Sequence, residues 1–111
     1  GSGVAAISAG DGHACALTTA GGAKCWGHNG SGQLGDNTTT VRLTPVEVTA
    51  LAGGVAAISA GSSHTCIATA ATGVKCWGYN GEGQLGDNST ANRLTPVDVV
   101  AIQSFVDRDV P

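Results

Sequence analysis

The chain has 111 residues, a length that limits it to one small domain. Hydrophobic residues make up 41% of it, too many for a disordered tail, yet no stretch reaches the roughly 20 uninterrupted apolar residues that a membrane helix requires. Five Lys and Arg residues against eight Asp and Glu residues give a net charge of −3, the wrong sign for a protein that binds by neutralising phosphates. We therefore expect neither a nucleic acid nor a membrane as a partner.

The first half of the chain contains four short runs that predict strands. Residues 4–9 are an apolar run closed by a glycine, residues 13–18 are a second run that ends at a turn over residues 19–22, and residues 23–28 form a third. Residues 45–49 alternate apolar with polar and form a fourth, with Pro45 at the strand start, where its missing N–H costs least. No sustained helical periodicity occurs, so the pattern predicts an all-β chain.

A 51-residue period organises the whole chain. Residues 3–10 recur unchanged as residues 54–61, His13 recurs as His64, and about two positions in three are identical between the two copies. We expect residues 3–53 to form one structural repeat and residues 54–101 to form the second. Residues 102–111 have no counterpart in the first copy and are interpreted as a C-terminal tail or a strand extension.

Gly1 and Ser2 are typical of the remnant left when an expression tag is cleaved. The chain is therefore interpreted as an engineered or excised fragment, and we expect no signal peptide in it.

Four short strands in a unit of about 40 to 50 residues are typical of a β-propeller blade, with a β-solenoid coil as the alternative. The two-residue alternation places Cys15 and Leu17 on one face of the second strand and Ala14 and Ala16 on the other. Trp26, in the partner strand, then lies over the alanines. Both faces of each blade are thus suited to packing against a neighbouring blade.

Several short motifs recur in order in both units: residues 7–10 (Ile-Ser-Ala-Gly), residues 24–27 (Lys-Cys-Trp-Gly), residues 29–35 and residues 43–46 (Leu-Thr-Pro-Val). Together with the His-x-Cys-Ala string that starts at His13, they resemble the regulator of chromosome condensation repeat. The resemblance implies a β-propeller, which in complete members usually has seven blades, and it is strongest to the cysteine-bearing repeats of bacterial, exported proteins. The nucleotide-exchange activity of the eukaryotic namesake depends on insertions that this sequence lacks, so it is not carried over.

Two blades share only one interface, whereas repeat architectures normally need about three or more units. The outer faces would leave apolar patches larger than soluble monomers tolerate. We therefore predict a homo-oligomer in which copies of the chain, arranged head to tail, complete the propeller. Four chains are preferred and three are possible, since two blades per chain generate only even totals.

The four cysteines, Cys15, Cys25, Cys66 and Cys76, allow three pairings. A three-residue hairpin loop at residues 19–21 would place Cys15 directly opposite Cys25, and a loop at residues 70–72 would do the same for Cys66 and Cys76. We predict a disulfide within each blade and hence an extracellular or exported native parent. Free buried thiols, or a zinc site that adds His13 and His28, are the alternatives; the second unit has Tyr79 in place of His28, which argues against zinc.

The remaining repeated residues are expected to serve the blade itself. His13 and His64 follow glycine-rich or serine-rich turns, where imidazole can bond to neighbouring backbone groups. In the long loop over residues 29–44 the Asn-Gly pair is a hairpin signal, and Asp36 is suited to an Asx cap. The other members of the predicted set are Leu34 and Leu85, expected to anchor the loop on the blade, Asp87 as the second cap, and Arg42 and Arg93, expected to bond to loop carbonyls. A calcium site in this loop is the alternative, although it contains few carboxylates.

The sequence favours a non-enzymatic module that self-assembles into a ring and serves as a protein-interaction scaffold, with a protein partner in the native parent. No nucleophile elbow or paired carboxylates occur, and no cofactor is expected. The alternative is a lectin-like propeller that binds carbohydrate or another ligand between blades, with Trp26 and Trp77 as stacking platforms. A protein-inhibitor propeller is a third possibility, for which no residue is diagnostic.

Overall fold

The computed structural model describes residues 3–49, 51, 54–69 and 73–99. These residues form eight strands in two four-stranded antiparallel sheets, and each sheet follows chain order. The first sheet, called blade 1, consists of β1 (Val4–Ala9), β2 (His13–Thr18), β3 (Ala23–Gly27) and β4 (Arg42–Glu47). The second sheet, called blade 2, consists of β5 (Val55–Ala60), β6 (His64–Thr69), β7 (Val74–Gly78) and β8 (Arg93–Asp98).

The all-β prediction with two four-stranded antiparallel sheets is confirmed. The expected tag remnant at residues 1–2, the tail at residues 102–111 and the second hairpin loop at residues 70–72 lie outside the described residues. No helix in the described ranges is long and apolar enough to cross a membrane.

The first hairpin has the register that the sequence predicts. Thr18 N donates to Gly22 O at 2.9 Å and closes the loop over residues 19–21. Ala14 then faces Trp26 and Cys15 faces Cys25 across β2 and β3. The matching register in blade 2 pairs residue 65 with residue 77 and residue 66 with residue 76.

The first strand of each blade contains a bulge that the sequence pattern does not reveal. The pairing of β5 with β6 shifts register between Val55 and Ala57, and that of β1 with β2 shifts at the equivalent place. Because a bulge interrupts the two-residue alternation, residues three apart can share a face. Val55 and Ile58 accordingly belong to one apolar cluster.

The predicted limits of the third and fourth strands are wrong by a few residues. β3 ends at Gly27 instead of residue 28, and β4 runs over residues 42–47 instead of 45–49. Pro45 therefore lies inside a strand and not at its start. This is tolerated because β4 is an edge strand and its pairing shifts register between Cys25 and Gly27, so the ladder does not require an N–H from Pro45.

Candidate interface between blades

The two blades meet through two different faces. Blade 1 contributes the face that carries the Cys15–Cys25 disulfide, whereas blade 2 contributes the opposite face of its own sheet, which carries Trp77. The residues that meet there form one buried apolar cluster: Cys15, Leu17, Ala23, Cys25, Leu34 and Val48 with Val55, Ile67 and Trp77. The molecule therefore contains one complete example of a blade junction.

The structure joins Cys15 to Cys25 and Cys66 to Cys76, with the Cα atoms of each pair 4.0 Å apart. The first disulfide lies inside the junction, and the second lies on the face that blade 2 does not use in it. Disulfide sulfurs are not available as zinc ligands. Across the described part of the chain no group of three His, Cys, Asp or Glu side chains is placed to hold a metal ion.

The backbone carbonyl of Gln33 is the polar centre of the junction. It accepts hydrogen bonds at 2.9 Å from Trp77 Nε1 and at 2.9 Å from Thr65 Oγ1, and both donors lie in the other blade. His13 Nε2 lies 2.9 Å from the same Thr65 oxygen. Because the Thr65 hydroxyl gives its single proton to Gln33, His13 must carry its proton on Nε2 and donate it to Thr65.

His13 is held neutral in this network. Burial lowers the pKa of its imidazole, and the nearby charge of His64 lowers it further. Its Nδ1 atom is buried without a hydrogen-bond partner, so an added proton would find no acceptor there. The sequence does not predict that the partner of His13 is a side chain in the other repeat.

The long loop of blade 1 is organised around Asn29, which is fully buried. Its Nδ2 donates to Thr38 O at 2.9 Å and to Thr40 O at 3.1 Å, while its Oδ1 accepts from Leu34 N at 2.9 Å. Leu34 is fully buried in the junction cluster. Asn29 and Gly30 begin a turn, which Gly32 N closes by donating to Asn29 O at 3.0 Å. The interpretation of the pair as a hairpin signal is wrong, because this turn does not join two paired strands and Asn29 instead anchors both sides of a loop that runs from β3 to β4.

Asp36 fastens the end of the same loop. Its Oδ1 accepts from Thr38 N at 3.1 Å and from Thr38 Oγ1 at 2.6 Å, in the geometry of an Asx turn, and its Oδ2 accepts from Arg42 Nε at 2.9 Å. Burial alone would raise the pKa of Asp36, but the hydrogen bonds from Thr38, Asn29 and Arg42 outweigh it and lower the pKa. The sequence predicts that Arg42 bonds to loop carbonyls; its guanidinium pairs with this carboxylate instead.

Blade 2 repeats the loop network. Asn80 and Leu85 are fully buried, and Arg93 Nε donates to Asp87 Oδ2 at 2.7 Å. Hydrogen bonds from Ser89 and then from Arg93 lower the pKa of Asp87 to about 2. The repeated Asp and Arg residues thus hold the loop in both blades, and the calcium interpretation has no second carboxylate in this network to support it.

The face of blade 1 that carries Trp26, called its outward flank, leaves apolar side chains exposed. The counterparts of these side chains in blade 2 are covered. Val4 is 59% exposed, whereas its counterpart Val55 is 6% exposed. Trp26 is half-buried, whereas its counterpart Trp77 is 0% exposed. The difference follows from position, since the face of blade 2 that carries Trp77 packs on a neighbour and the matching face of blade 1 does not.

The outward flank of blade 2 leaves a space open that is filled in blade 1. A Cβ atom placed on Gly35 would lie 2.7 Å from Trp77 Nε1, and one placed on Gly32 would collide with Leu94. At the counterpart of Gly32, Gly83, no atom lies within 4 Å of such a Cβ atom. An open depression of about 650 Å³ lies there, lined by Gly83, Gly86, Asn88, Ser89 and Thr90.

The indole rings do not form a pair of stacking platforms for a sugar. Trp77 is fully buried, and its Nε1 atom is bound to Gln33 O. Trp26 is partly accessible because neither of the two described sheets packs on the face that carries it. The lectin-like alternative therefore loses one of the two residues on which it depends.

Comparison with known proteins identifies the repeat. A family model described as the regulator of chromosome condensation (RCC1) repeat matches residues 4–33 and 55–84, and a second model of the same description matches residues 24–68 and 74–110. The chain belongs to the RCC1 repeat family. Both copies of the 51-residue unit are therefore RCC1 repeats, as the resemblance predicted.

Among curated RCC1-type relatives, the probable E3 ubiquitin-protein ligase HERC4 of Homo sapiens is 39% identical over 95 residues, which cover 84% of this chain and 9% of the ligase. The ultraviolet-B receptor UVR8 of Arabidopsis thaliana is 35% identical over 91 residues, which cover 81% of this chain and 21% of the receptor. The chain thus spans about a tenth of the ligase and about a fifth of the receptor, and the ligase activity named for HERC4 is not assigned to it.

Solved structures with the same fold include human WBSCR16, with a TM-score of 0.75 and 24% identity over 86% of this chain and 25% of that one. They also include Prp20p of Saccharomyces cerevisiae, with a TM-score of 0.78 and 18% identity over 90% of this chain and 26% of that one. Prp20p is described as binding Gsp1p and histones. At these identities the likeness shows the RCC1 fold alone.

Sequence reasoning missed three polar groups: the Thr65 hydroxyl and the Gln33 carbonyl in the junction between the RCC1 blades, and the buried Asn29 amide in the long loop of blade 1. Asn29 could have been found, because it recurs as Asn80 in an otherwise polar loop. Thr65 could not have been found, because its counterpart is Ala14 and a position that differs between the repeats does not look like one with a structural role. The Gln33 group belongs to the backbone and carries no sequence signal.

Proposed function

We propose that this pair of RCC1 repeats is a non-enzymatic segment of a β-propeller that assembles with copies of itself into a closed ring, and that the ring serves as a protein-interaction scaffold. The observation that carries the proposal is the match between the two free flanks. The flank exposed on blade 1 is equivalent to the one that blade 2 buries inside the chain. Likewise, the flank exposed on blade 2 is equivalent to the one that blade 1 buries inside the chain. A head-to-tail arrangement of copies would cover both at once.

A ring built from whole chains contains an even number of blades. We propose four chains, which give eight blades, with three chains and six blades as the other closed arrangement. The chain spans about a tenth of HERC4 and about a fifth of UVR8, which supports its interpretation as a segment of a larger propeller.

A protein partner is proposed for the native parent. Proteins of the same fold bind other proteins: Prp20p is described as binding Gsp1p and histones, and a further structure contains Kap60 bound to yeast RCC1 (Prp20). Exposed positions that differ between the repeats are suited to specific recognition, because a residue that serves every blade would be repeated. They include Asp11, His28, Val41, Glu82 and Asn92.

We also propose that the native parent is extracellular or exported. The described cysteines are all paired in disulfides, and such bonds persist in oxidising compartments and are rare in the cytosol. Mass measurement of the purified protein under non-reducing conditions, with and without prior reduction and alkylation, tests the oxidation state.

The self-assembly proposal is tested by native mass spectrometry combined with size-exclusion chromatography and light scattering at micromolar concentration. We expect a closed species of four chains, or of three. A folded monomer over the accessible concentration range would overturn it, and an open-ended series of sizes would overturn the closed ring while keeping the head-to-tail contact.

A further inference from the structure

We propose that the depression beside Gly83 and Gly86 on blade 2 receives Trp26 and Leu43 of a second copy of this chain, and that the resulting junction is weaker than the one inside the chain. The inference rests on the proposed self-assembly and specifies the contact that produces it. Its basis is the internal junction, which shows how each of these residues is used when a neighbouring blade is present.

Inside the chain, two side chains of blade 2 enter two glycine-lined spaces on blade 1. The Trp77 ring occupies the space beside Gly35, and Leu94 occupies the space beside Gly32. A backbone hydrogen bond of 3.0 Å from Asn37 N to Leu94 O fixes the approach of the long loop of blade 1 to β8. Any side chain at either glycine would displace the residue that enters.

Equivalent groups are present on the two outward flanks, where no blade of this chain covers them. Trp26 is the counterpart of Trp77, and Leu43, which is 88% exposed, is the counterpart of Leu94. On blade 2, Gly83 and Gly86 have positive φ angles of +77° and +68°, as their counterparts do. No atom lies within 4 Å of a Cβ atom placed on Gly83, whereas one placed on Gly86 would lie 2.9 Å from Val99 Cγ1. The Val99 side chain must therefore turn aside for Trp26 to lie beside Gly86 as Trp77 lies beside Gly35. Repeating the internal geometry would place Trp26 Nε1 against the carbonyl of Gln84.

The junction between copies would nevertheless differ from the internal one at four core positions. On β2, β3 and β6 the internal junction has Leu17, Ala23, Thr65 and Ile67. In the corresponding places the junction between copies would have Ala68, Val74, Ala14 and Ala16. Three of the four side chains are smaller, so less apolar surface is buried. Ala14 also has no hydroxyl to accept from the counterpart of His13, which is His64. The junction between copies is therefore the weaker of the two.

The test compares three single substitutions in a dilution series read by light scattering. Leu43→Asp places a charge on the side chain that enters the depression, and we expect roughly ten-fold or greater weakening of assembly. Val41→Asp is the matched control, because Val41 is also 50% exposed in the same segment but its counterpart Asn92 bonds to Asn80 N within its own blade. We expect this control to assemble like the unchanged chain.

Ala14→Thr is the third variant and is expected to strengthen assembly. The threonine reproduces the residue of the internal junction, where Thr65 accepts from His13 and donates to the Gln33 carbonyl. One or two restored hydrogen bonds correspond to a dissociation constant lower by roughly 5- to 30-fold for each junction. Circular dichroism on each variant checks that the sheets remain folded.

The outcomes separate this inference from the proposal beneath it. If the unchanged chain is monomeric throughout, self-assembly fails and this contact fails with it. If it assembles but Leu43→Asp weakens it no more than Val41→Asp does, the chains associate through another surface and the assigned contact is wrong. If Ala14→Thr leaves the dissociation constant unchanged, the statement that the missing hydroxyl weakens the outer junction is overturned.

Discussion

Replacing Thr65 by valine tests whether the polar centre of the internal junction stabilises the pair of blades. Valine keeps the branched shape and removes only the hydroxyl. That hydroxyl donates to Gln33 O at 2.9 Å and lies 2.9 Å from His13 Nε2. Both Thr65 and His13 are buried, at 0% and 4% exposure, so water cannot replace the lost partner.

The expected loss of stability depends on which buried groups the substitution leaves without a hydrogen-bond partner. Gln33 O keeps the hydrogen bond from Trp77 Nε1, so its carbonyl remains satisfied. The His13 N–H, in contrast, becomes a buried donor without an acceptor, and such groups cost about 1 to 3 kcal/mol. Together with the lost Thr65–Gln33 bond, we expect the free energy of unfolding to fall by about 2 to 3 kcal/mol.

Urea unfolding followed by tryptophan fluorescence measures this loss. For a chain of this size the urea dependence of the free energy of unfolding is about 1 to 3 kcal/mol/M, so the midpoint should fall by roughly 0.7 to 3 M. Unchanged and variant proteins must be compared at equal concentration, because assembly would add to apparent stability.

The matched control is Ser62→Ala, which removes a hydrogen bond of 2.8 Å to Asp11 at the exposed rim of the same junction. We expect a change within about 0.5 kcal/mol, since exposed groups regain water partners. Equal midpoints for Thr65→Val and Ser62→Ala would refute the reasoning that burial, and not the count of hydrogen bonds, sets the contribution of this network.

Three further predictions concern other parts of the structure. Replacing both Cys15 and Cys25 by alanine removes a cross-link between residues 10 apart in the sequence, so the unfolded chain gains conformational entropy and the free energy of unfolding should fall by about 3 kcal/mol. Urea unfolding measures this loss, and an unchanged midpoint would contradict the entropy argument. Because folding lowers the pKa of Asp87 from 3.8 to about 2, its ionised carboxylate stabilises the fold above pH 3.8, and this stabilisation is lost as the pH falls towards about 2. Asp87→Asn should remove this pH dependence from the acid unfolding curve, and a curve that the substitution leaves unchanged below pH 3.8 would contradict the prediction. Gly32→Ala should destabilise the chain more than Gly83→Ala, because both glycines have positive φ but only a Cβ atom on Gly32 would collide with Leu94; urea midpoints that coincide would argue against that packing.

The elements that could be predicted are those whose determinants lie close together in the sequence. The hairpin of β2 and β3 follows from a turn composition at residues 19–22 and from two cysteines at equal distances from it. The anchoring role expected of Leu34 follows from an isolated apolar residue in a polar loop. In each case one segment of the chain contains both the signal and the structure that satisfies it.

The features that could not be predicted depend on groups that come together only after folding. Trp77 Nε1 and Gln33 O are 44 residues apart and belong to different sheets. The sequence favours a strand start for Pro45 because a central ladder would need its N–H, but the edge position of β4 and the local register shift remove that need. The bulge at Val55 is hidden for a similar reason, since its neighbours follow an ordinary apolar pattern.

The differences between the two repeats indicate in which order the blades fold and the copies of the chain associate. The loop networks around Asn29 and Asn80 are alike, so each blade builds its own scaffold in the same way. The repeats diverge at positions such as Ala14 and Thr65, which occupy the blade faces, and there the divergence favours the junction inside the chain. A covalent connection already gives that junction a high effective concentration. Since its contacts are also the richer ones, the two blades should fold as one unit before copies associate, and dilution should separate chains without separating blades.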